Sequence, residues 1–119
     1  MAIHNELGKK GEALATELLL KKNYTILEKN WRYLKAEIDI IALKKKTLVI
    51  AEVKTRSSDF FGNPQDFITE KKIKLLVSAA NEYVISKNLD VEVRFDIIAV
   101  LINSKTKKIE HLENAFLYF

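Results

Sequence analysis

The stretch Ala36–Lys54, which reads AEIDIIALKKKTLVIAEVK, decides the fold. Two runs rich in Ile, Val and Leu flank the polar triplet Lys44–Lys46, and this pattern predicts a β-hairpin. Carboxylates interrupt both runs at positions where a buried strand is expected to stay apolar. Glu52 and Lys54 are two positions apart, so we expect their side chains to share one face of the second strand.

A two-residue loop at Lys45–Lys46 would fix the register of this hairpin. It would place Asp39 opposite Glu52 and Glu37 opposite Lys54, with Cβ atoms about 4.5–5.5 Å apart. Two carboxylates at that distance repel each other, and a divalent cation bound by their oxygens removes the conflict. A three-residue loop would break this register. In the alternative interpretation, Glu37 and Lys54 form an ordinary ion pair while Asp39 and Glu52 face water.

The composition indicates one globular domain over residues 1–119. Hydrophobic residues make up 48% of the 119 residues, which is enough to form a core. The absence of Cys excludes a disulfide framework, a zinc-thiolate site and a cysteine nucleophile. His4 and His111 are the only histidines, which gives little support to a Ser-His pair or a His-rich metal site. The net charge of +4 permits a polyanionic partner without demanding one.

No segment is long and apolar enough to suggest a membrane span, and the first residues lack the apolar core of a signal peptide. A cytoplasmic protein without a membrane partner is therefore expected. Hydrophobic periodicity predicts a fold of the α/β class, in which helices flank a mixed β-sheet. The expected elements are a helix from about Asn5 to Lys22, strands over 25–33, 91–102 and 107–112, a helix from Thr69 to about Asn88, and an apolar tail over 115–119.

Three local features add detail to this outline. Asn5 and Thr69 are predicted to cap the two helices, and the strand over 91–102 is predicted to lie parallel to the Glu52 strand. Residues 55–64 are predicted to form a loop, whose Phe60 and Phe61 would either grip a partner or cover one edge of the core. Lys71–Lys72 would lie in the first turn of the second helix, where the helix dipole disfavours cations. This placement hints at anion binding, although surface lysines tolerate the same cost.

Several short motifs follow one another along almost the whole chain. They are Gly8-Lys9-Lys10-Gly11-Glu12-Ala13-Leu14-Ala15, Asn30-Trp31-Arg32, Glu37-Ile38-Asp39-Ile40-Ile41-Ala42, Glu52-Val53-Lys54-Thr55-Arg56, Phe61-Gly62-Asn63-Pro64, Lys71, Arg94-Phe95-Asp96 and Asn114-Ala115-Phe116. In this order and at this spacing, they resemble the YraN-like family, predicted endonucleases of the PD-(D/E)xK superfamily with its restriction-endonuclease-like αβββαβ core and four- to five-stranded sheet. Ala36 replaces the family's usual Gly, and Ile38 replaces the superfamily's Pro, but neither change removes a ligand.

The resemblance implies metal-dependent hydrolysis of phosphodiester bonds. Asp39, Glu52 and the backbone carbonyl of Val53 would bind the metal, and Glu12 would be an outer or second-metal ligand. Lys54 would orient and help deprotonate the attacking water, and would steady the scissile phosphate. In the predicted hairpin register, Glu37 would in addition hold the Lys54 ammonium group. Mg²⁺ is the expected metal and Mn²⁺ its substitute, because the donors are all oxygen.

Nucleic acid, DNA in the first place, is the expected partner, recognised by its structure and backbone. Phosphate contacts are expected from Arg56, Lys71, Lys72 and Lys74. A resolvase-like enzyme cutting junctions would need two active sites, which favours a homodimer. The alternatives are a nucleic-acid-binding module that has lost cleavage, against which the intact catalytic residues argue, and an adaptor protein that uses the same fold.

Overall fold

The computed structural model describes residues 2–58 and 68–116, with side chains from residue 6 onward. Phe60, Phe61 and the end of the apolar tail at residues 117–119 lie outside the described residues. The elements are α1 (Ala2–Lys21), β1 (Thr25–Tyr33), β2 (Ala36–Lys44), β3 (Thr47–Arg56), α2 (Glu70–Ser86), β4 (Glu92–Ile102) and β5 (Lys107–Leu112).

The strands form one five-stranded mixed sheet in the order β1-β2-β3-β4-β5. β3 and β4 are parallel, as predicted, while the other neighbours are antiparallel. The element order αβββαββ is of the α/β class and is consistent with a restriction-endonuclease-like core. Neither helix in the described part of the chain is long and apolar enough to cross a membrane.

A separate hydrophobic cluster lies on each face of the sheet, because successive side chains of β3 point to opposite faces. Leu48 and Ile50 pack with Leu76 of α2 on one face. On the other face, Val49 and Ala51 belong to the cluster that contains Ala15 and Leu19 of α1. The chain thus builds a three-layer arrangement in which β3 lies at the centre of the sheet.

Most predicted element bounds are confirmed, but two details were wrong. Thr69 caps α2, and its hydroxyl accepts a hydrogen bond from the Lys72 amide at 3.1 Å. Asn5 does not cap α1, because the helix already begins at Ala2 and no Gly or Pro interrupts it there. Thr55 and Arg56 extend β3 instead of opening a loop, since the parallel ladder with β4 continues through both.

A buried polar network joins β4 to β5 and to the turn that follows. Arg94 donates two hydrogen bonds to Asp96, from Nε and Nη2, each at 2.9 Å. The His111 ring, through Nε2, and the Asn114 amide also bond the Asp96 carboxylate, at 2.7 and 3.0 Å. Lys22 Nζ lies 2.8 Å from His111 Nδ1. An ammonium group can only donate, so Nδ1 accepts and Nε2–H donates to Asp96.

Candidate active site

The antiparallel ladder between β2 and β3 ends where the candidate catalytic residues begin. The two-residue turn at Lys45–Lys46 gives the predicted register, from Lys44 opposite Thr47 to Ile40 opposite Ala51. Ile38 belongs to the α2-side cluster and Ile40 to the α1-side cluster, although they are two positions apart. The alternation of β2 is therefore broken at Asp39. This break and the end of the ladder open the space between the two strands.

The Asp39 side chain bridges the two strands beyond the end of the ladder. Its Oδ2 accepts a hydrogen bond from the Val53 amide at 2.7 Å, which joins β2 to β3 beyond the last ladder pair. Burial and the nearby Glu52 carboxylate raise the pKa of Asp39 to about 7, with a smaller contribution from Glu12. Asp39 and Glu52 are thus close enough to repel each other, although the ladder ends at Ile40 and Ala51 and does not include them as a pair.

Glu52 is a buried carboxylate in this site. It is only 5% exposed. Oε1 accepts a hydrogen bond from Lys72 Nζ at 2.5 Å and lies 4.0 Å from Lys54 Nζ. Oε2 is buried and has no hydrogen-bond partner among the described residues. A buried carboxylate oxygen left unpaired costs free energy, so Oε2 is well suited to be a ligand of a cation.

Lys54 shares a face with Glu52, as predicted, but it does not pair with Glu37. Because the β2–β3 ladder has already ended, Glu37 instead pairs with Arg32, its partner in the β1–β2 register, at 3.0 Å. Burial and the neighbouring Lys72 ammonium lower the pKa of Lys54, against the attraction of Glu52. A lysine with a lowered pKa is better suited to proton transfer than an exposed one.

Glu12 approaches the site from α1. The helix can come close because Gly11 lies directly against Thr55 of β3, where a Cβ atom would overlap the threonine side chain. Glu12 Oε1 accepts a hydrogen bond from Asn30 Nδ2 at 3.3 Å. The described residues nevertheless contain no group of three His, Asp or Glu side chains close enough together to hold a metal. Glu12 therefore lies near Asp39 and Glu52 without forming a preassembled three-carboxylate cluster with them.

A cavity of about 300 Å³ opens beside Asp39 and Glu52. Its lining combines acidic residues from β2 and β3 with basic residues at the start of α2. The lining residues are Lys35, Ala36, Glu37, Asp39, Glu52, Thr69, Lys71, Lys72, Leu75 and Leu76. Of the other predicted phosphate contacts, Lys74 is exposed further along α2 and Arg56 Nη1 donates to the carbonyl of Thr55.

Sequence reasoning did not identify the contact between Lys72 and Glu52. The two lysines in the first turn of α2 hinted at an anion, and for Lys72 the nearest anion belongs to the protein itself. Burial opposes the charge of Lys72, but the hydrogen bond and charge of Glu52 outweigh it and raise the pKa of Lys72. Lys35 and Thr69 were also missed as lining residues, because their approach to the cavity depends on tertiary structure.

The donor set fits a hard divalent cation. Asp39 and Glu52 offer carboxylate oxygens from two neighbouring strands, and the unpaired Oε2 of Glu52 lacks a donor among the described residues. Oxygen-only donors favour Mg²⁺ over metals that prefer sulfur or imidazole. The metal role of the Val53 carbonyl and that of Glu12 stay predictions.

The comparisons with known proteins point to a single family. The sequence model described as "Uncharacterised protein family UPF0102" matches residues 11–100. A UPF0102 protein of Flavobacterium psychrophilum is 64% identical over 119 residues, all of both chains. One from Christiangramia forsetii is 62% identical over the same span, and one from Phocaeicola vulgatus is 43% identical over 116 residues, 98% of this chain and 96% of that one. The chain therefore belongs to the UPF0102 family, the YraN-like family that its motifs resemble.

Proposed function

We propose that this protein is a metal-dependent endonuclease that hydrolyses phosphodiester bonds, selecting DNA by its structure. The observation that carries the proposal is the convergence of Asp39, Glu52 and Lys54 where β2 and β3 separate, with a buried Glu52 oxygen that lacks a donor among the described residues. A purely structural ion pair would not require an unpaired buried carboxylate oxygen beside a second carboxylate of raised pKa.

Asp39 and Glu52 would hold Mg²⁺, with the Val53 carbonyl as a further ligand and Glu12 as an outer one. When bound, the ion would lower the pKa of a coordinated water and neutralise charge developing on the phosphate. Lys54, with its lowered pKa, would orient the attacking water and take part in its deprotonation. Glu37 contacts Arg32 and lines the cavity, so we assign it an electrostatic role there and not the holding of Lys54.

The surroundings of the cavity support a polyanionic substrate. Lys71 and Lys72 line it, and Lys74 and Arg56 lie further along α2 and β3. Such contacts to phosphates position a nucleic acid without reading its sequence. Cutting both strands of a junction would require two such sites, so the proposal includes a symmetric homodimer. Light scattering of the purified protein, with and without a DNA junction, measures the oligomeric state directly.

A cleavage screen tests the proposal. Branched, flapped and linear DNA and RNA are incubated with the protein in Mg²⁺ or Mn²⁺, alongside Asp39→Asn and Glu52→Gln. We expect the wild type to cut at least one DNA substrate, and both variants to be inactive. Glu17→Gln is the matched control, because Glu17 is an exposed carboxylate on α1 whose ion pair is with Lys21. Cleavage that survives in Asp39→Asn or Glu52→Gln would remove these carboxylates from the site.

One observation favours a second candidate, a nucleic-acid-binding module without cleavage. Lys72 already neutralises Glu52 from within the protein, so the site has a cation of its own. This candidate predicts binding of DNA with no dependence on divalent metal. Calorimetric titration of Mn²⁺ into wild type and Asp39→Asn separates the two candidates. The nuclease proposal requires tighter binding by the wild type, whereas equal binding by both favours the binding module.

A further inference from the structure

Lys72 contacts the Glu52 carboxylate, the group that a bound cation would also contact. Its Nζ lies 2.5 Å from Glu52 Oε1, and the Glu52 side chain is 6% exposed. Burying a charged group is unfavourable unless a partner of opposite charge lies beside it. Lys54 is a second ammonium group near Oε1, but it lies at 4.0 Å. Lys72 is thus the principal charge partner of Glu52 in the metal-free protein.

The Lys72 side chain can leave this position without moving the helix. Its amide donates to the Thr69 hydroxyl at 3.1 Å, so the capped first turn of α2 holds the backbone. Its side chain is 37% exposed and lines the cavity, and a four-carbon stem allows the ammonium to swing. Helix-dipole energy does not hold the cation in the first turn, because that end of a helix disfavours positive charge.

We propose that Lys72 is a stand-in cation for Glu52, which moves from the carboxylate to a substrate phosphate when a divalent ion binds. This inference rests on the proposed function, because it requires a divalent ion at Glu52 and a phosphodiester in the cavity. Two cations attracted to one buried carboxylate repel each other strongly at contact distance, so Lys72 and the divalent ion compete. The released ammonium remains within the cavity and meets the phosphate there. Lys72 is therefore a positioning residue that couples metal binding to substrate binding.

The first test measures the affinity for Mn²⁺ by calorimetry. Lys72→Met and Lys72→Gln keep most of the side chain length but remove the charge, and we expect each to bind Mn²⁺ roughly tenfold more tightly than the wild type. Lys71→Met is the matched control, because Lys71 lines the same cavity and is not the hydrogen-bond donor to Glu52. It reports the general effect of removing one positive charge, and we expect a change of less than about threefold.

A double-variant cycle ties the effect to Glu52. In a Glu52→Gln background, Lys72→Met should no longer tighten Mn²⁺ binding, because the competition for the carboxylate is gone. If the wild type binds Mn²⁺ and the Lys72 variants bind it equally or more weakly, the inference is wrong while the proposed function stands. If neither the wild type nor the Lys72 variants bind Mn²⁺, both the inference and the nuclease proposal are wrong.

The second test measures the transfer to phosphate. Binding of a short fluorescent DNA duplex is titrated against salt with Ca²⁺, which we use as a non-cleaving ion, and with chelator instead. In Ca²⁺, Lys72→Met should reduce the slope of log K against log salt by roughly 0.9, the value for one lost phosphate contact. In chelator the reduction should be near zero, because Lys72 is then engaged by Glu52. A reduction of equal size in both conditions, or none in either, would overturn the transfer.

Discussion

Asp39 links the chemistry of the site to the stability of the fold. Its folded-state pKa of about 7 is above the ordinary value of 3.8, because burial and Glu52 oppose its ionisation. The folded protein therefore binds this proton more tightly than the unfolded chain does. The contribution of Asp39 to stability is present at low pH and is lost as the pH rises through about 7. A bound divalent cation would remove this loss, since it compensates the ionised carboxylate.

Asp39→Asn should consequently stabilise the metal-free protein at alkaline pH. An amide oxygen can still accept the Val53 hydrogen bond, while the repulsion from Glu52 is removed. In chelator, we expect the variant to melt above the wild type at about pH 8, with the difference shrinking towards about pH 4. Thermal unfolding across this range checks it. Glu17→Gln, on the exposed face of α1, should show no such trend, and a lower melting temperature of Asp39→Asn at alkaline pH would contradict the argument.

Lys54 is expected to act in the chemical step and not in holding the fold together. Lys54→Ala should preserve the fold and metal binding but lower the cleavage rate by about 100-fold or more if Lys54 supports proton transfer. Lys54→Arg should be impaired too, since guanidinium stays protonated and has a different shape. Lys46→Ala, at the exposed hairpin turn, is the control. Single-turnover cleavage of a substrate that the wild type cuts measures the effect. Full activity in Lys54→Ala would remove Lys54 from the mechanism.

At the scale of elements, the packing of α1 on β3 depends on one glycine. A Cβ on Gly11 would lie 2.8 Å from Thr55 Cβ and would overlap Thr55 Oγ1. The absence of this atom lets the helix bring Glu12 beside the site, next to the strand that carries Lys54. Gly8 lies one turn earlier in the same helix, and a Cβ added there would meet no atom within 4 Å, so that position carries no such constraint.

Gly11→Ala should therefore destabilise the protein by about 1–3 kcal/mol, because the new methyl group overpacks the interface. Gly8→Ala should have the opposite sign and stabilise the helix by about 0.5–1 kcal/mol, since alanine loses less backbone entropy. Thr55→Ala should recover part of the loss in the Gly11→Ala background. Urea unfolding of the wild type and these variants measures the free energies. If Gly11→Ala proves as stable as the wild type, α1 does not pack as described.

The elements also show which features the sequence can and cannot predict. The strand bounds of β1 and β5 and the cap at Thr69 follow from local patterns, and the hairpin register follows from the length of its turn. Three site features do not. The end of the β2–β3 ladder, the pairing of Glu37 with Arg32 and the contact of Lys72 with Glu52 all depend on how separate elements meet. Local hydrophobic periodicity carries no information on these tertiary contacts.

At the scale of the whole molecule, the site and the buried Asp96 network share the central pair of parallel strands. Asp96 of β4 lies beside Ala51 of β3, and Ala51 immediately precedes Glu52. The network ties β4 to β5 through His111 and to the following turn through Asn114. The Arg94 guanidinium group also donates a hydrogen bond to the hydroxyl of Tyr24 at 2.6 Å, and Tyr24 lies between α1 and β1 in the chain. The network therefore connects β5, the edge strand farthest from β1, to the end of α1.

Asp96→Asn should weaken the whole fold. Asp96 is fully buried, and the substitution removes the 2.9 Å ion pair of Arg94, leaving it with the exposed Glu113 carboxylate at 3.6 Å, so we expect a loss of about 3 kcal/mol near neutral pH. Although burial opposes ionisation, the hydrogen bonds from His111 and Arg94 lower the pKa of Asp96. Its contribution is therefore present above the ordinary value near 3.8 and is lost only as the pH falls through the lower folded-state pKa. The difference between wild type and variant should shrink in that acidic range.

Chemical unfolding near neutral pH and in acid, with Asp90→Asn as control, distinguishes this network from general charge effects. Asp90 is fully exposed and lies 3.9 Å from Lys46, so its substitution should leave the stability almost unchanged. Because the network joins β4, β5 and the end of α1, Asp96→Asn should also speed amide exchange in β5 and around Tyr24. Equal exchange rates in the two variants would mean that Asp96 does not hold these elements together.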